Sequence, residues 1–422
     1  MKRRSFLSAG LALGSSLLLP RAQAAGAKVV IIGGGWGGMS AARHLRDSAP
    51  ALDVVLIERN DHFWSRPLSN RWLFGMIDGA ALRFDYSATS RKWGYRYLQG
   101  EISGIDRERQ FVQLGKQQLH YDWLIIATGI REDFSTWYGD DRAAAAHSRA
   151  HFPSAFADRD GHIRLKALLE RFSGGDLVMT IPPAPYRCPP APYERAGMIA
   201  WWMKRNKIKG RLIILDPNLP SLGFERVFED AYRDQITYLP QARIARIDPY
   251  RQRIETDFDT IDFASAILMP PQQAADLVWQ AGLIGGNRDG KPSGWADHDP
   301  VTMNVIGDER VFVIGDMLGK ASPLFGYYPK TGQMAARQGA IVATEIAKQA
   351  GHQPWSKQLP DSTCHVLMRL EPQEISTVQT SYSFRGDGVI RQQAKQSYNP
   401  QASDEDVTWA KAMFDELGLK KG

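Results

Sequence analysis

The chain has 422 residues, 43% of them apolar and 23% charged, with a formal net charge of +6. That length leaves room for two or three domains around a sizeable core. No long Lys/Arg run is present to track phosphates, which argues against a nucleic-acid partner, and no unbroken run of about eighteen apolar residues is present to span a bilayer.

The first residues read as an address. Arg3-Arg4-Ser5-Phe6-Leu7 is a twin-arginine pattern, followed by a modest apolar stretch from Phe6 to Leu19 and the small residues Ala22-Gln23-Ala24. The stretch is short and broken by Gly10, Gly14, Ser15 and Ser16, too interrupted to span a membrane comfortably. Residues 1–24 are therefore expected to be a twin-arginine signal peptide, removed after export to the periplasm. The segment holds Lys2, Arg3, Arg4 and Arg21 and no acid, so its removal takes the formal charge from +6 to +2.

Lys28-Val29-Val30-Ile31-Ile32 has the β-branched run of a buried parallel strand. Gly33-Gly34-Gly35-Trp36-Gly37-Gly38 follows at once and satisfies GxGxxG; Met39 to Asp47 predicts a helix, and Asp53 to Ile57 a second strand ending in Glu58. Gly33 permits the tight turn, Gly35 lets a pyrophosphate approach the backbone, and Gly38 lets helix pack on strand. The pyrophosphate would sit at the helix N-terminus, and Glu58 would bind a ribose hydroxyl pair. Tyr121 to Thr128 predicts a strand closing on Ala127-Thr128-Gly129, after a hairpin-like stretch from Tyr95 to His120.

A second strand–helix–strand unit begins at Leu177-Val178-Met179-Thr180-Ile181, with a helix from Tyr193 to Lys204 and a strand from Arg211 to Leu215 ending in Asp216. Where a second glycine fingerprint belongs, the chain runs Pro182-Pro183-Ala184-Pro185-Tyr186-Arg187-Cys188-Pro189-Pro190. Prolines lack the N–H groups of a phosphate cradle, so a pyridine nucleotide is not expected there. Further on, Val311-Phe312-Val313-Ile314 is an apolar strand leading into Gly315-Asp316, and a helix is predicted from about Gly332 to Lys348. Its N-terminal dipole would favour a reduced, anionic ring. Strands are suggested by His365 to Leu370 and Ile375 to Phe384. Asp404 to Lys420 spaces Val407, Trp409, Met413, Phe414 and Leu417 as a helix expected to pack on its own domain rather than on lipid.

Cys188 and Cys364, 176 residues apart, have no other cysteine in the chain to pair with. On count alone they are a structural disulfide, two unrelated thiols, or a redox pair. No CxxC and no HExxH occurs, so no metal site is expected, and no CxxCH is present to attach a c-type haem.

The strand closing on Ala127-Thr128-Gly129 and the Gly315-Asp316 terminus resemble flavoproteins with two dinucleotide-binding domains, where such an aspartate holds the ribityl chain of FAD. More specifically, Ile181 to Arg195 (IPPAPYRCPPAPYER), Leu68-Ser69-Asn70 and Pro329-Lys330-Thr331-Gly332 resemble the flavoprotein subunit of flavocytochrome c sulfide dehydrogenase, related to sulfide:quinone oxidoreductases. The resemblance covers about Lys28 to Cys364 and continues more faintly to the end. It implies an α/β fold in which a degenerate Rossmann-like domain (133–269) interrupts an FAD domain (25–132 and 270–349), with a C-terminal α+β domain at 350–422.

It also implies that Cys188 and Cys364 are the redox-active pair. Hydrosulfide would attack their disulfide beside the flavin, Cys188 keeping the sulfane and Cys364 facing the ring. Glu194 resembles a proton-shuttling glutamate, or is an ordinary helix N-terminal carboxylate. Lys330 would sit near the flavin C2 carbonyl or form an exposed salt link. The implied cofactor contacts are Gly33, Gly35, Trp36, Gly38, Glu58, Arg59, Asn70, Thr128, Gly129, Gly315, Asp316, Lys330 and Thr331. Some family members link FAD through a cysteine aligned with Arg66; arginine forms no thioether, so non-covalent FAD is expected here. The expected partner is a c-type cytochrome subunit carrying the haem, with membrane quinone as the rival acceptor and a non-catalytic FAD-binding or assembly protein as the alternative of another class.

Overall fold

The computed structural model describes residues 26–156, 159–220, 223–352 and 358–419; the expected leader lies outside them. The principal elements begin with β1 (Lys28–Ile32), α1 (Trp36–Ser48), β2 (Asp53–Glu58), α2 (Ser69–Leu73), β3 (Arg96–Gln99) and β4 (Trp123–Ile126). The middle of the chain forms β5 (Gly174–Thr180), α3 (Ala191–Arg205), β6 (Lys209–Asp216), β7 (Ile236–Pro240) and β8 (Ser265–Ile267). Next come β9 (Asn304–Val305), β10 (Asp308–Val313) and α4 (Gly332–Gln349). The chain closes with β11 (Ser362–Leu370), β12 (Gln373–Phe384), β13 (Ile390–Asn399) and α5 (Glu405–Glu416).

The apolar runs become central strands. A six-stranded sheet has the order β9-β10-β4-β1-β2-β3, parallel except for β9. Val29, Val30 and Ile31 are fully buried in it, as are Leu56 and Ile125. Each such side chain contributes roughly 1.5–3 kcal/mol of burial. Helices α1 and α4 pack on this sheet at a glycine contact: a Cβ on Gly339 would lie 2.4 Å from the Gly37 carbonyl oxygen. That close approach brings both helix N-termini to the same edge of the sheet.

A parallel four-stranded sheet, β7-β6-β5-β8, forms the second Rossmann-like unit. The chain crosses between the units through Ile130–Glu132, paired antiparallel with Gln272–Ala274. The third unit is the antiparallel sheet β11-β12-β13.

Two local expectations change. The stretch from Tyr95 to His120 is not one hairpin. Its first strand, β3, joins the main parallel sheet, and the rest forms a separate three-stranded meander of Ile102–Asp106, Phe111–Leu114 and Gln117–His120. Helix α5 touches β11 of its own sheet through Trp409 and His365, but adds Ala410, Met413 and Phe414 to the core of the first unit. Phe414 stacks on Trp36 with centroids 5.9 Å apart and meets Phe84 at 5.0 Å. The helix end is tied there by Trp93, whose Nε1 donates to the Leu417 carbonyl at 2.8 Å.

Candidate active site

The edge where α1 and α4 begin opens into a cleft of about 1400 Å³ that is lined by residues from all three units, among them Gly35, Glu58, Asp316, Cys188 and Cys364. Gly33 turns the chain at φ +102°, and a Cβ there would strike the Ala127 carbonyl oxygen at 2.5 Å. Gly38 is tighter still, with Gly33 O 1.9 Å from a built Cβ, whereas Gly35 has nothing within 4 Å. The first and third glycines therefore serve packing, and the second leaves open space for a ligand. Glu58 ends β2 and accepts from Gly34 N–H at 2.7 Å and from Asn60 N–H at 2.9 Å. Arg59 pairs with Glu101 at 3.5 Å at the exposed rim.

Across the cleft Gly315 takes φ +83°, its N–H donating to Gln338 Oε1 at 2.8 Å. Asp316 Oδ2 accepts from Arg187 Nε at 2.6 Å, but Asp316 Oδ1 is buried with no partner among the described residues. Thr128 Oγ1 and Trp36 Nε1 are also buried and unpartnered. Such groups are costly to leave unsatisfied unless a ligand meets them. The glycine cradle, the orphaned aspartate oxygen and the α4 N-terminus fit FAD. Thr331 caps α4, its Oγ1 accepting from Met334 N–H at 3.2 Å. Arg66 lines the cleft beside His162, with Nη1 2.9 Å from His162 Nδ1, and offers no thiol for a covalent link.

The second unit has filled its own nucleotide position. Asp216, at the end of β6, is fully buried and accepts from Tyr193 Oη at 2.6 Å and Tyr238 Oη at 2.8 Å. Its other oxygen accepts from Asn218 Nδ2, which also donates to the Pro182 carbonyl. The acid that a ribose would need is thus held inside the protein, behind the proline loop.

That loop delivers Cys188. The residue sits at φ +48°, a conformation uncommon for a side chain with a Cβ, and its N–H donates to the Lys330 carbonyl at 2.8 Å. Cys364 arrives from β11. Both are half-buried free thiols on the cleft wall. Burial pushes the Cys188 thiol up to about 12, reinforced by the nearby Glu194 carboxylate. Cys364 is pushed well above the ordinary thiol range by burial, then by Cys188 and Glu194. Both sulfurs feel the same carboxylate, and Cys364 also feels Cys188.

Lys330 is 4% exposed, which removes the exposed salt link. Its ammonium donates to the carbonyls of Asp316 and Leu318, both at 2.8 Å, and lies 3.7 Å from the Trp295 ring centroid. Burial pulls its pKa down to about 7.

Glu194, in the first turn of α3, is also more than a helix-end charge. It accepts from Asn70 Nδ2 at 2.8 Å and from Leu367 N–H at 3.1 Å, so it touches both other units. Burial raises its pKa to about 7, opposed by the Asn70 hydrogen bond. Asn70, expected at the flavin, lines the same cleft and has its amide engaged here. The next residue, Arg195, is 2% exposed and donates to Asn70 Oδ1 and to the carbonyls of Ser154 and Ala155. Beneath them Arg71 and Asp406 form a bidentate ion pair at 2.7 and 2.8 Å.

Sequence reasoning had not singled out Arg71, Arg187, Arg195 or Asp406. Only the IPPAPYRCPPAPYER stretch carried a signal, for Arg187 and Arg195. His147 and His151, four residues apart on one helix, stack with centroids 4.1 Å apart. Among the described residues no group of three or more possible ligands could hold a metal ion.

Residues 163–270 match the family model described as sulfide dehydrogenase [flavocytochrome c] flavoprotein chain, central, and residues 27–166 match pyridine nucleotide-disulphide oxidoreductase. Sulfide-quinone reductase of Aquifex aeolicus is 24% identical over 345 residues, covering 77% of each chain. By these matches the chain is similar to proteins of the sulfide dehydrogenase and sulfide:quinone reductase type. Mitochondrial sulfide:quinone oxidoreductase of Mus musculus is 22% identical over 309 residues, which is 68% of this chain and 65% of that one. The crystal structure of the Aquifex aeolicus sulfide:quinone oxidoreductase superposes with a TM-score of 0.73 at 19% identity, covering 93% of this chain and 91% of the other. At that identity the superposition speaks for the fold: two Rossmann-like units and a C-terminal unit.

Proposed function

We propose that the chain is a periplasmic, FAD-dependent sulfide dehydrogenase that oxidises hydrosulfide through Cys188 and Cys364 and passes electrons to a c-type cytochrome. The observation that carries this reading is the meeting of two remote cysteines on the wall of the cleft that fits FAD, where the nucleotide position of the second unit is closed. FAD, bound non-covalently, supplies a two-electron acceptor.

Hydrosulfide bonds to Cys188 Sγ as the Cys188–Cys364 bond breaks, and Cys364 leaves as thiolate. The proton of the new persulfide passes to Glu194, whose carboxylate lies close enough to influence both sulfurs. A second hydrosulfide removes the sulfane as disulfane anion, leaving Cys188 as thiolate. The Cys188 and Cys364 thiolates would then re-form their bond and release two electrons, for which bound FAD would be the acceptor. The net change is two hydrosulfides to one disulfane anion, one proton and two electrons. Arg187 braces the reacting loop by donating to Asp316 and to the Phe156 carbonyl. Lys330 braces it through the carbonyl that accepts from Cys188 N–H.

Two observations favour a cytochrome acceptor. The family model over 163–270, which includes Cys188, is that of a flavocytochrome c flavoprotein chain. The apolar face of α5, the best candidate for a membrane-facing segment, is buried against Trp36 and Phe84. The second reading, a sulfide:quinone oxidoreductase, draws on the names of the two relatives above. Hydrosulfide-reduced protein offered cytochrome c or a soluble quinone separates them. Fast reoxidation by cytochrome c alone is expected; reoxidation by quinone alone would replace the acceptor in this proposal.

A further inference from the structure

The group that links the three units at the sulfur site is an amide. Asn70, on α2, is 5% exposed, and both ends of its side chain are used. A guanidinium has donors only, so the Asn70 oxygen must face Arg195 Nε, 3.2 Å away, and its nitrogen must face Glu194 Oε1, 2.8 Å away. Rotating the amide would set donor against donor. Arg195 cannot follow such a rotation, because the Ser154 and Ala155 carbonyls hold its other nitrogens and its guanidinium lies 5.0 Å from the Phe156 ring centroid. A fixed buried cation thus polarises an amide, and the amide donates to a carboxylate. The second carboxylate oxygen accepts from Leu367 N–H, three residues beyond Cys364.

We infer that Asn70 is a positioning residue: it relays the charge of Arg195 to Glu194 and holds that carboxylate as a ready proton acceptor beside Cys188 and Cys364. The inference rests on the reading of Glu194 as the proton acceptor. The other charged or titratable groups that face Glu194 are Asp406 and Arg71 beneath it, Cys188 at the head of its own helix, and Cys364 on β11. Asp406 and Arg71, joined in their bidentate pair, act on Glu194 in opposite directions, and the Asn70 hydrogen bond is the largest influence favouring its charged form, ahead of Leu367 N–H and Arg71.

The test is stopped-flow reduction of the flavin by hydrosulfide in the holoprotein across neutral pH, comparing wild type with Glu194→Gln, Asn70→Asp and Asn70→Ala. Ionisation of the donor is common to all four and cancels when each variant is divided by wild type at the same pH. Glu194→Gln is expected to abolish an acid limb in the rate. Asn70→Asp keeps an acceptor for Arg195 but sets a carboxylate against Glu194. It should move that limb upward by roughly one pH unit or more, a tenfold loss near neutrality that recovers in alkali. Asn70→Ala, which removes the donor to Glu194 and the acceptor for Arg195 without adding a charge, should move it the same way by less. FAD content and melting temperature confirm that each variant is folded. A limb unmoved in both Asn70 variants, or a rate lowered equally at every pH, while Glu194→Gln abolishes the limb, would overturn the role of Asn70 and leave Glu194 standing. A limb that persists in Glu194→Gln would remove the proton acceptor, and this inference with it.

Discussion

Replacing Glu194 with Gln tests the burial of the carboxylate without any substrate. Burial, then the nearby Asp406 carboxylate, holds its pKa at about 7 against an ordinary 4.5, with Asn70, Leu367 and Arg71 opposing. Between those values the folded chain binds a proton that the unfolded chain has released. The stability contributed is therefore fully present below about pH 4.5 and is lost as pH rises through about 7. At about 1.4 kcal/mol for each tenfold change in acidity, the loss comes to about 3 kcal/mol. Glutamine has no charge to bury and carries no such dependence. Wild type and Glu194→Gln holoprotein should therefore diverge as pH rises, with wild type falling behind. For a chain of this size each kcal/mol moves the melting temperature by roughly 1.2 °C, so the gap should widen by about 4 °C. Differential scanning calorimetry at matched FAD saturation reads it. A gap that stays constant over that range would refute a strained, buried carboxylate at this position.

Three further outcomes follow from the same contacts. Arg71→Met leaves Asp406 buried without its cation and should cost about 3–5 kcal/mol, seen as a lower melting temperature, while Arg71→Met with Asp406→Leu should recover most of it. Gly38→Ala places a Cβ 1.9 Å from the Gly33 carbonyl oxygen, so the turn must open; the purified protein should have lost most of its FAD, measured as flavin absorbance per chain. NADH should reduce the flavin at least a hundredfold more slowly than hydrosulfide under anaerobic mixing, because Asp216 is held by Tyr193 and Tyr238 and the loop before it is built of prolines. Equal rates would reopen the second nucleotide site.

What the sequence disclosed is what short-range chemistry specifies. The β1 run, the glycine turn, α1 and Glu58 all lie within 31 residues, and each constrains its neighbour. The proline loop was equally legible, because a missing N–H is a property of one residue. The meeting of Cys188 with Cys364 came only through resemblance, since nothing in their local sequence points each to the other. The Asn70 contacts reach Glu194 and Arg195 across 124 and 125 residues, and Arg71 reaches Asp406 across 335. No periodicity or motif encodes such pairings; they exist only once three units have docked. Helix α5 shows the same limit. Its spacing revealed an apolar face, but not that Trp36 and Phe84 of the first unit would cover it.

The central claim is that the two sulfurs and the flavin form one electron path. Anaerobic titration with hydrosulfide, followed by visible absorbance in wild type, Cys188→Ser and Cys364→Ser, tests it most directly. Wild type should bleach with a stoichiometric amount of donor and show a long-wavelength band as a thiolate faces the oxidised flavin. Both variants should retain their oxidised flavin, and Cys364→Ser should lack the band. Bleaching of either variant at the wild-type rate, or a band that survives Cys364→Ser, would contradict the account.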